Sequence, residues 1–122
     1  MKAAITSTGE DLQSGVDPRF GRARWFVVVD TESDASEALD NEQNLNAMQG
    51  AGVQAAQNVS EAGVEAVITG NVGPKAFSVL GAAGIKIYTG ATGTVADALE
   101  AFKAGKLEAA GGANVESHWT GS

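Results

Sequence analysis

The sequence predicts a single α/β domain, a mixed sheet of about five strands flanked by about three helices. Three observations carry this expectation. Runs at 2–7, 25–29, 64–69 and 85–88 have the β-branched and aromatic density of strands. The later runs alternate with segments of helical periodicity, the pattern of parallel βαβ units. A chain of 122 residues has room for one core.

Taken in order, 2–7 is a short apolar strand that stops at the turn signal Ser7-Thr8-Gly9. Residues 9–22 form a long polar loop with Gly15, Asp17-Pro18 and Gly21, a length that is often functional. Trp25-Phe26-Val27-Val28-Val29 is a strand, and 35–40 a weaker edge strand. No helix separates these first strands, so they are expected to pair antiparallel. A polar connection follows at 41–49. A helix is predicted over 50–62, with Val53, Ala56 and Val59 on its apolar face and Gly63 as its left-handed stop. After the apolar run 64–69, Pro74 opens a second helix, where its missing N–H costs nothing. Gly84 ends that helix before strand 85–88. The third helix carries Val95, Ala98, Leu99 and Phe102 at i, i+3, i+4, i+7 and closes at Gly105. The domain is expected over 1–107, with 108–122 a Gly/Ala-rich tail.

Composition narrows the function. No apolar run approaches the ~18 residues of a membrane span, and the N-terminal run is too short for a secretory signal. A cytoplasmic location is therefore expected. With no cysteine, disulfides, thiolate metal ligands and Cys-held iron–sulfur clusters are excluded. The net charge of −7 argues against nucleic acid as a partner, because phosphate binding needs basic surface. That charge is uneven. Between Asp30 and Glu65 every charged residue is a carboxylate, whereas Arg19, Arg22 and Arg24 are packed into six residues.

A small anionic ligand fits this distribution better than a polymer. Three predicted strands run into Thr-Gly-rich turns: Thr6-Ser7-Thr8-Gly9, Thr69-Gly70-Asn71-Val72-Gly73 and Thr89-Gly90-Ala91-Thr92-Gly93. In an open α/β sheet the carboxyl ends of parallel strands share the ligand-binding edge. Glycines admit backbone N–H groups to a ligand, hydroxyls add donors, and helix starts at Gly50 and Pro74 add positive dipole ends. Two readings of the arginine loop stay open on these residues: an anion grip, or surface pairing with surplus carboxylates. Neither nucleotide fingerprint is present, and Gly50-Ala51-Gly52 follows a polar loop rather than a strand. Catalytic sets are sparse, with one histidine and no cysteine. Asp17 reads as a turn residue and Asp30 as a strand end more simply than as metal ligands. Met48 could offer a thioether to a soft metal, or only pack. His118 could fold over a bound metal with Trp119 as a lid, or have no role.

The motifs resemble a known family. Asp17-Pro18-Arg19-Phe20-Gly21-Arg22-Ala23 is similar to the Asp-x-x-Phe-Gly-Arg loop of the dinitrogenase iron–molybdenum cofactor-binding family. Gln49-Gly50-Ala51-Gly52-Val53-Gln54 resembles its first-helix motif, and Val67-Ile68-Thr69-Gly70-Asn71-Val72-Gly73-Pro74 its second strand-to-helix turn. Gly84-Ile85-Lys86-Ile87-Tyr88 resembles the strand that follows, so the likeness spans about 1–107. It implies a ribonuclease-H-like fold without nuclease activity, and a non-enzymatic binder or carrier of metal–sulfur clusters. The short, acidic, Cys-free character resembles a stand-alone subgroup from sulfate-reducing bacteria that holds a molybdenum–copper (Mo-Cu) sulfide cluster non-covalently. Some relatives place a histidine near the first helix; here that region reads Ala47-Met48-Gln49.

The expected site is therefore Arg19, Phe20, Gly21, Arg22, Gly50, Gly52, Gly70, Asn71, Val72 and Gly73. The arginines neutralise the cluster, with Arg24 or Lys75 in support. The glycine turns donate N–H groups, and Phe20 and Val72 exclude water. A second reading is an acidic regulatory or interaction module with a vestigial crevice and a protein partner. A third, a small enzyme using Asp17 or Asp30 with a divalent metal, has no paired-carboxylate spacing behind it.

Overall fold

The computed structural model describes residues 1–41 and 51–111. Its elements are β1 (Lys2–Ser7), β2 (Trp25–Asp30), β3 (Ser36–Asp40), α1 (Ala51–Glu61), β4 (Ala66–Ile68), α2 (Pro74–Ala82), β5 (Lys86–Tyr88) and α3 (Val95–Lys103). The sheet order is β3-β2-β1-β4-β5. β1–β2 and β2–β3 are antiparallel, and β1–β4 and β4–β5 parallel. The five-stranded mixed sheet and the antiparallel first strands are as the sequence predicts.

β4 and β5 are shorter than predicted, because the residues before them finish the preceding helices. Val64 N donates to Val59 O at 3.4 Å, and Ile85 N to Leu80 O at 2.9 Å. Both bonds step over a left-handed glycine, Gly63 (φ 79°) or Gly84 (φ 76°), and bury the apolar residue that follows.

Strand alternation divides the core into two layers. Ala4, Phe26, Val28, Val67 and Ile87 face one side with Ala55, Ala56 and Val59 of α1 and Ala76 and Leu80 of α2. Ala3, Ile5, Val27, Val29, Ala66 and Ile68 face the other, under Val95, Ala98 and Leu99 of α3. Phe20 comes from the long loop and joins the first layer, its ring 5.3 Å from that of Phe26. Beyond α3 the chain returns to the sheet. Ala109 bridges Tyr88 in antiparallel sense, and Ala110 N donates to Ile87 O at 2.7 Å. The rest of the predicted tail, 112–122, lies outside the described residues.

α3 starts with a reciprocal cap. Asp97 N donates to Thr94 Oγ1, and Thr94 N to Asp97 Oδ2. The Thr94 backbone N–H, and then its hydroxyl, hold the Asp97 carboxyl below its ordinary 3.8. A depressed folded value stabilises the fold above the unfolded pKa, and the benefit is lost as pH falls through the folded one. Wild-type melting temperature should therefore fall below about pH 4, and Asp97→Asn should flatten that slope in a thermal-unfolding series. An unchanged slope contradicts the cap's role.

Candidate functional site

The carboxyl ends of β1, β4 and β5 lie along one sheet edge, and residues 8–24 run the length of it. At the β5–α3 end, Val16 N donates to Gly93 O at 2.9 Å, Val95 N to Ser14 O at 2.8 Å and Ala96 N to Leu12 O at 2.9 Å. In the middle, Asp17 N donates to Thr6 O at 3.0 Å, and the Thr6 hydroxyl donates to Asp17 O at 2.6 Å. Thr6 and Thr69 share a 3.0 Å hydroxyl–hydroxyl bond. Next, Phe20 N donates to Asn71 O at 3.2 Å, and Asn71 Nδ2 to Pro18 O at 3.1 Å. At the β2–β3 end, the wholly buried Asn41 donates from Nδ2 to Ala23 O at 2.7 Å and to Gly21 O at 3.5 Å.

This path corrects the sequence reading of the three strand ends. The Thr89–Gly93 turn and the start of α3 do not face a ligand. The loop's own carbonyls, with the Thr94–Asp97 cap, take the first-turn N–H groups that an anion would need. Thr6 and Thr69 are not spare donors either, since both are buried and committed to the loop. The rest of the loop, from Pro18 to Arg24, runs past Asn71 toward β3.

There the structure gathers part of the predicted set. Arg19 bridges Asn71, and Asn71 stands three residues before α2. The Asp17 carboxylate accepts the Arg19 backbone N–H at 2.9 Å and lies 3.6 Å from Arg19 Nε. The arginine is thereby aimed by a nearly buried acid two residues earlier, and Asp17 keeps its turn role. Arg22 is half-buried between Gly21 and Ala23, the residues whose carbonyls Asn41 holds. Arg24 pairs with Asp40 at 2.6 Å and lies over the Trp25 ring at 4.3 Å, fixing the base of the loop. The N-cap of α2, Gly73, makes no side-chain capping bond, and Pro74 occupies the first turn. Among the described residues no group of three His, Asp or Glu side chains could hold a metal ion.

Phe20 and Val72 are 0% exposed and belong to the core, so neither ring nor isopropyl group forms the face of a pocket as the sequence reading assumed. Phe20 is the loop's anchor from below. Gly52 is buried in the first turn of α1, within the predicted helix. Gly50, Met48 and His118 lie outside the described residues. Asp30 ends β2, as the sequence predicts: its carboxylate accepts Glu32 N at 2.9 Å and Ser33 N at 3.4 Å, and the Glu32 bond leads in lowering its pKa. Sequence reasoning missed Asn41. It is one of three asparagines in a polar run, and nothing in its sequence context signals its burial.

Gly70 must be glycine for a steric reason. A Cβ there would lie 2.8 Å from Pro18 Cα and 2.9 Å from Pro18 O. Gly70→Ala should cost about 1–3 kcal/mol, the usual penalty of overpacking, and should move Pro18 and Arg19 together. Thermal unfolding and the Arg19 amide shift check this; a variant with wild-type melting and shifts contradicts the close approach.

The chain has relatives in sequence and in structure. In solved structures the chain matches the apo form of the orange protein of Desulfovibrio gigas at 44% identity and a TM-score of 0.92, covering 93% of this chain and 96% of that one. It matches a NifB-like protein of Thermotoga at 42% identity and a TM-score of 0.78, covering 88% and 91%. An uncharacterized protein of Methanocaldococcus jannaschii is 35% identical over 111 residues, which is 88% of this chain and 90% of that protein. The family model described as dinitrogenase iron-molybdenum cofactor matches residues 1–105. On that span, with the cysteine-free loop laid over the parallel strand ends, the chain belongs to the dinitrogenase iron-molybdenum cofactor family.

Proposed function

We infer that this protein binds and carries an anionic metal–sulfide cluster, of the Mo-Cu sulfide type, by charge and hydrogen bonding alone. The observation that supports this best is the arginine loop, pinned at the sheet edge beside Asn71 and the start of α2 in a chain with no thiol. Arg19 and Arg22 neutralise the cargo. Gly21, Gly70 and Asn71 shape the wall between them, and the first turn of α1, with Gly52, forms the facing wall. The N–H of Gly73 and the first turn of α2 present the positive end of a helix to the cluster's sulfurs. Phe20 and Val72 pack in the core and anchor the two segments that carry the arginines and the α2 turn. The role is carriage rather than catalysis.

The test is reconstitution with tetrathiomolybdate and Cu(I), followed by desalting, visible absorption and metal analysis. Retained colour with both metals at a fixed ratio supports the reading. A colourless, metal-free protein overturns it, and retention of molybdenum without copper overturns the mixed cluster.

A further inference from the structure

Two wholly buried hydroxyls, those of Thr6 and Thr69, lie side by side where the arginine loop crosses the sheet edge. Parallel pairing puts Ile5 beside Ile68, so the next residue of each segment meets its neighbour on the same face. Thr6 has one hydroxyl hydrogen. Its shorter bond, 2.6 Å, goes to Asp17 O. With that hydrogen committed, Thr6 Oγ1 accepts from the Thr69 hydroxyl across their 3.0 Å contact. Thr6 O also accepts Asp17 N at 3.0 Å, so Thr6 holds both backbone groups of Asp17. The nearly buried Asp17 carboxylate in turn holds Arg19, accepting its N–H at 2.9 Å and lying 3.6 Å from its Nε. One chain of contacts therefore runs from Thr69 through Thr6 and Asp17 to an exposed guanidinium.

We propose that Thr6, oriented by Thr69, is a positioning residue for Arg19: its hydroxyl fixes the Asp17 elbow that aims the guanidinium at the anionic cargo. The inference deepens the cluster-carriage reading and rests on it for the ligand. The hydroxyl, rather than the bulk of the side chain, carries the role. Valine has nearly the shape of threonine and no hydroxyl, so Thr6→Val removes the donor to Asp17 O and leaves a polar group unpaired. Serine keeps the hydroxyl and loses the methyl, so Thr6→Ser opens a small void in the core and keeps the bond.

Two readouts on the full-length chain test this. In unloaded ¹⁵N-labelled protein, the Arg19 N–H signal should move in Thr6→Val and keep its wild-type position in Thr6→Ser. After loading with tetrathiomolybdate and Cu(I), affinity for the cluster should fall about tenfold in Thr6→Val, the equivalent of one lost charged contact, and hold in Thr6→Ser. Thermal melting should drop in both variants, so lower stability alone does not account for lost retention. An Arg19 signal unmoved in Thr6→Val overturns the proposal, as does an equal shift in Thr6→Ser. Undiminished retention in Thr6→Val also overturns it. If Thr6→Val does not fold, hydroxyl exchange in the wild type decides. The Thr6 hydroxyl proton should exchange with solvent far more slowly than those of exposed threonines, and equal rates overturn the proposal. The Arg19 signal is read without cluster, so failure of this inference and failure of cluster carriage are distinguishable.

Discussion

Phe20→Ala should lower the melting temperature by about 10–20 °C and release the whole arginine loop. The ring is wholly buried and packs against Phe26 in the layer under α1 and α2. Truncating a buried Phe costs about 3–5 kcal/mol, a large part of the roughly 5–15 kcal/mol that holds a domain together. At this size one kcal/mol shifts the midpoint by about 4 °C. Phe20 is also the only large apolar side chain between Pro18 and Ala23, so its loss frees the segment that carries Arg19 and Arg22. Circular dichroism melts give the first effect, and proteolysis at Arg19 or Arg22 gives the second. Phe20→Leu should recover most of the stability. A Phe20→Ala protein that melts near wild type contradicts the anchor role.

Arg19→Glu combined with Arg22→Glu should abolish retention of a tetrathiomolybdate–copper cluster and leave the fold intact. Hydrogen bonds to charged groups contribute about 1.5–3 kcal/mol each, so two lost contacts weaken binding about 10²–10⁴-fold. Reversal adds repulsion to that loss. Arg19 is exposed and Arg22 half-buried, so neither change opens a core cavity. Visible titration before and after desalting reads the binding, and thermal unfolding controls for the fold. High salt should weaken wild-type retention in the same direction, since screening acts on exposed charge. Undiminished retention in the double variant refutes the arginine grip while leaving cluster carriage to be judged by the reconstitution itself. Arg24→Ala is expected to act differently. Its guanidinium is committed to Asp40 and the Trp25 ring, so stability should fall more than retention.

The fold was legible because its signals are carried by side chains. β-branched runs mark β1, β2, β4 and β5, and Gly63, Gly84 and Gly105 mark the helix ends. The family loop was legible in the same way. What was not legible depends on backbone atoms and burial. The carbonyls of Leu12 and Ser14 cap α3 and close the third strand end, and no side chain announces that. Asn41 is chemically an ordinary asparagine in a polar run, and its bonds to the carbonyls of Gly21 and Ala23 make it a pin. Phe20 misled for the opposite reason. An aromatic in a polar loop suggests a ligand contact, but the loop folds back over the sheet and puts the ring inside.

The short return of the chain along β5 bears on assembly. Ala109 occupies the side of Tyr88 that would otherwise face a neighbour, so among the described residues the sheet has one paired outer strand and one open one, β3. A sheet open at both sides can grow without limit by adding copies head to tail. At Tyr88 the chain itself holds the place that a neighbouring copy's strand would take, so growth through that side of the sheet is opposed from within.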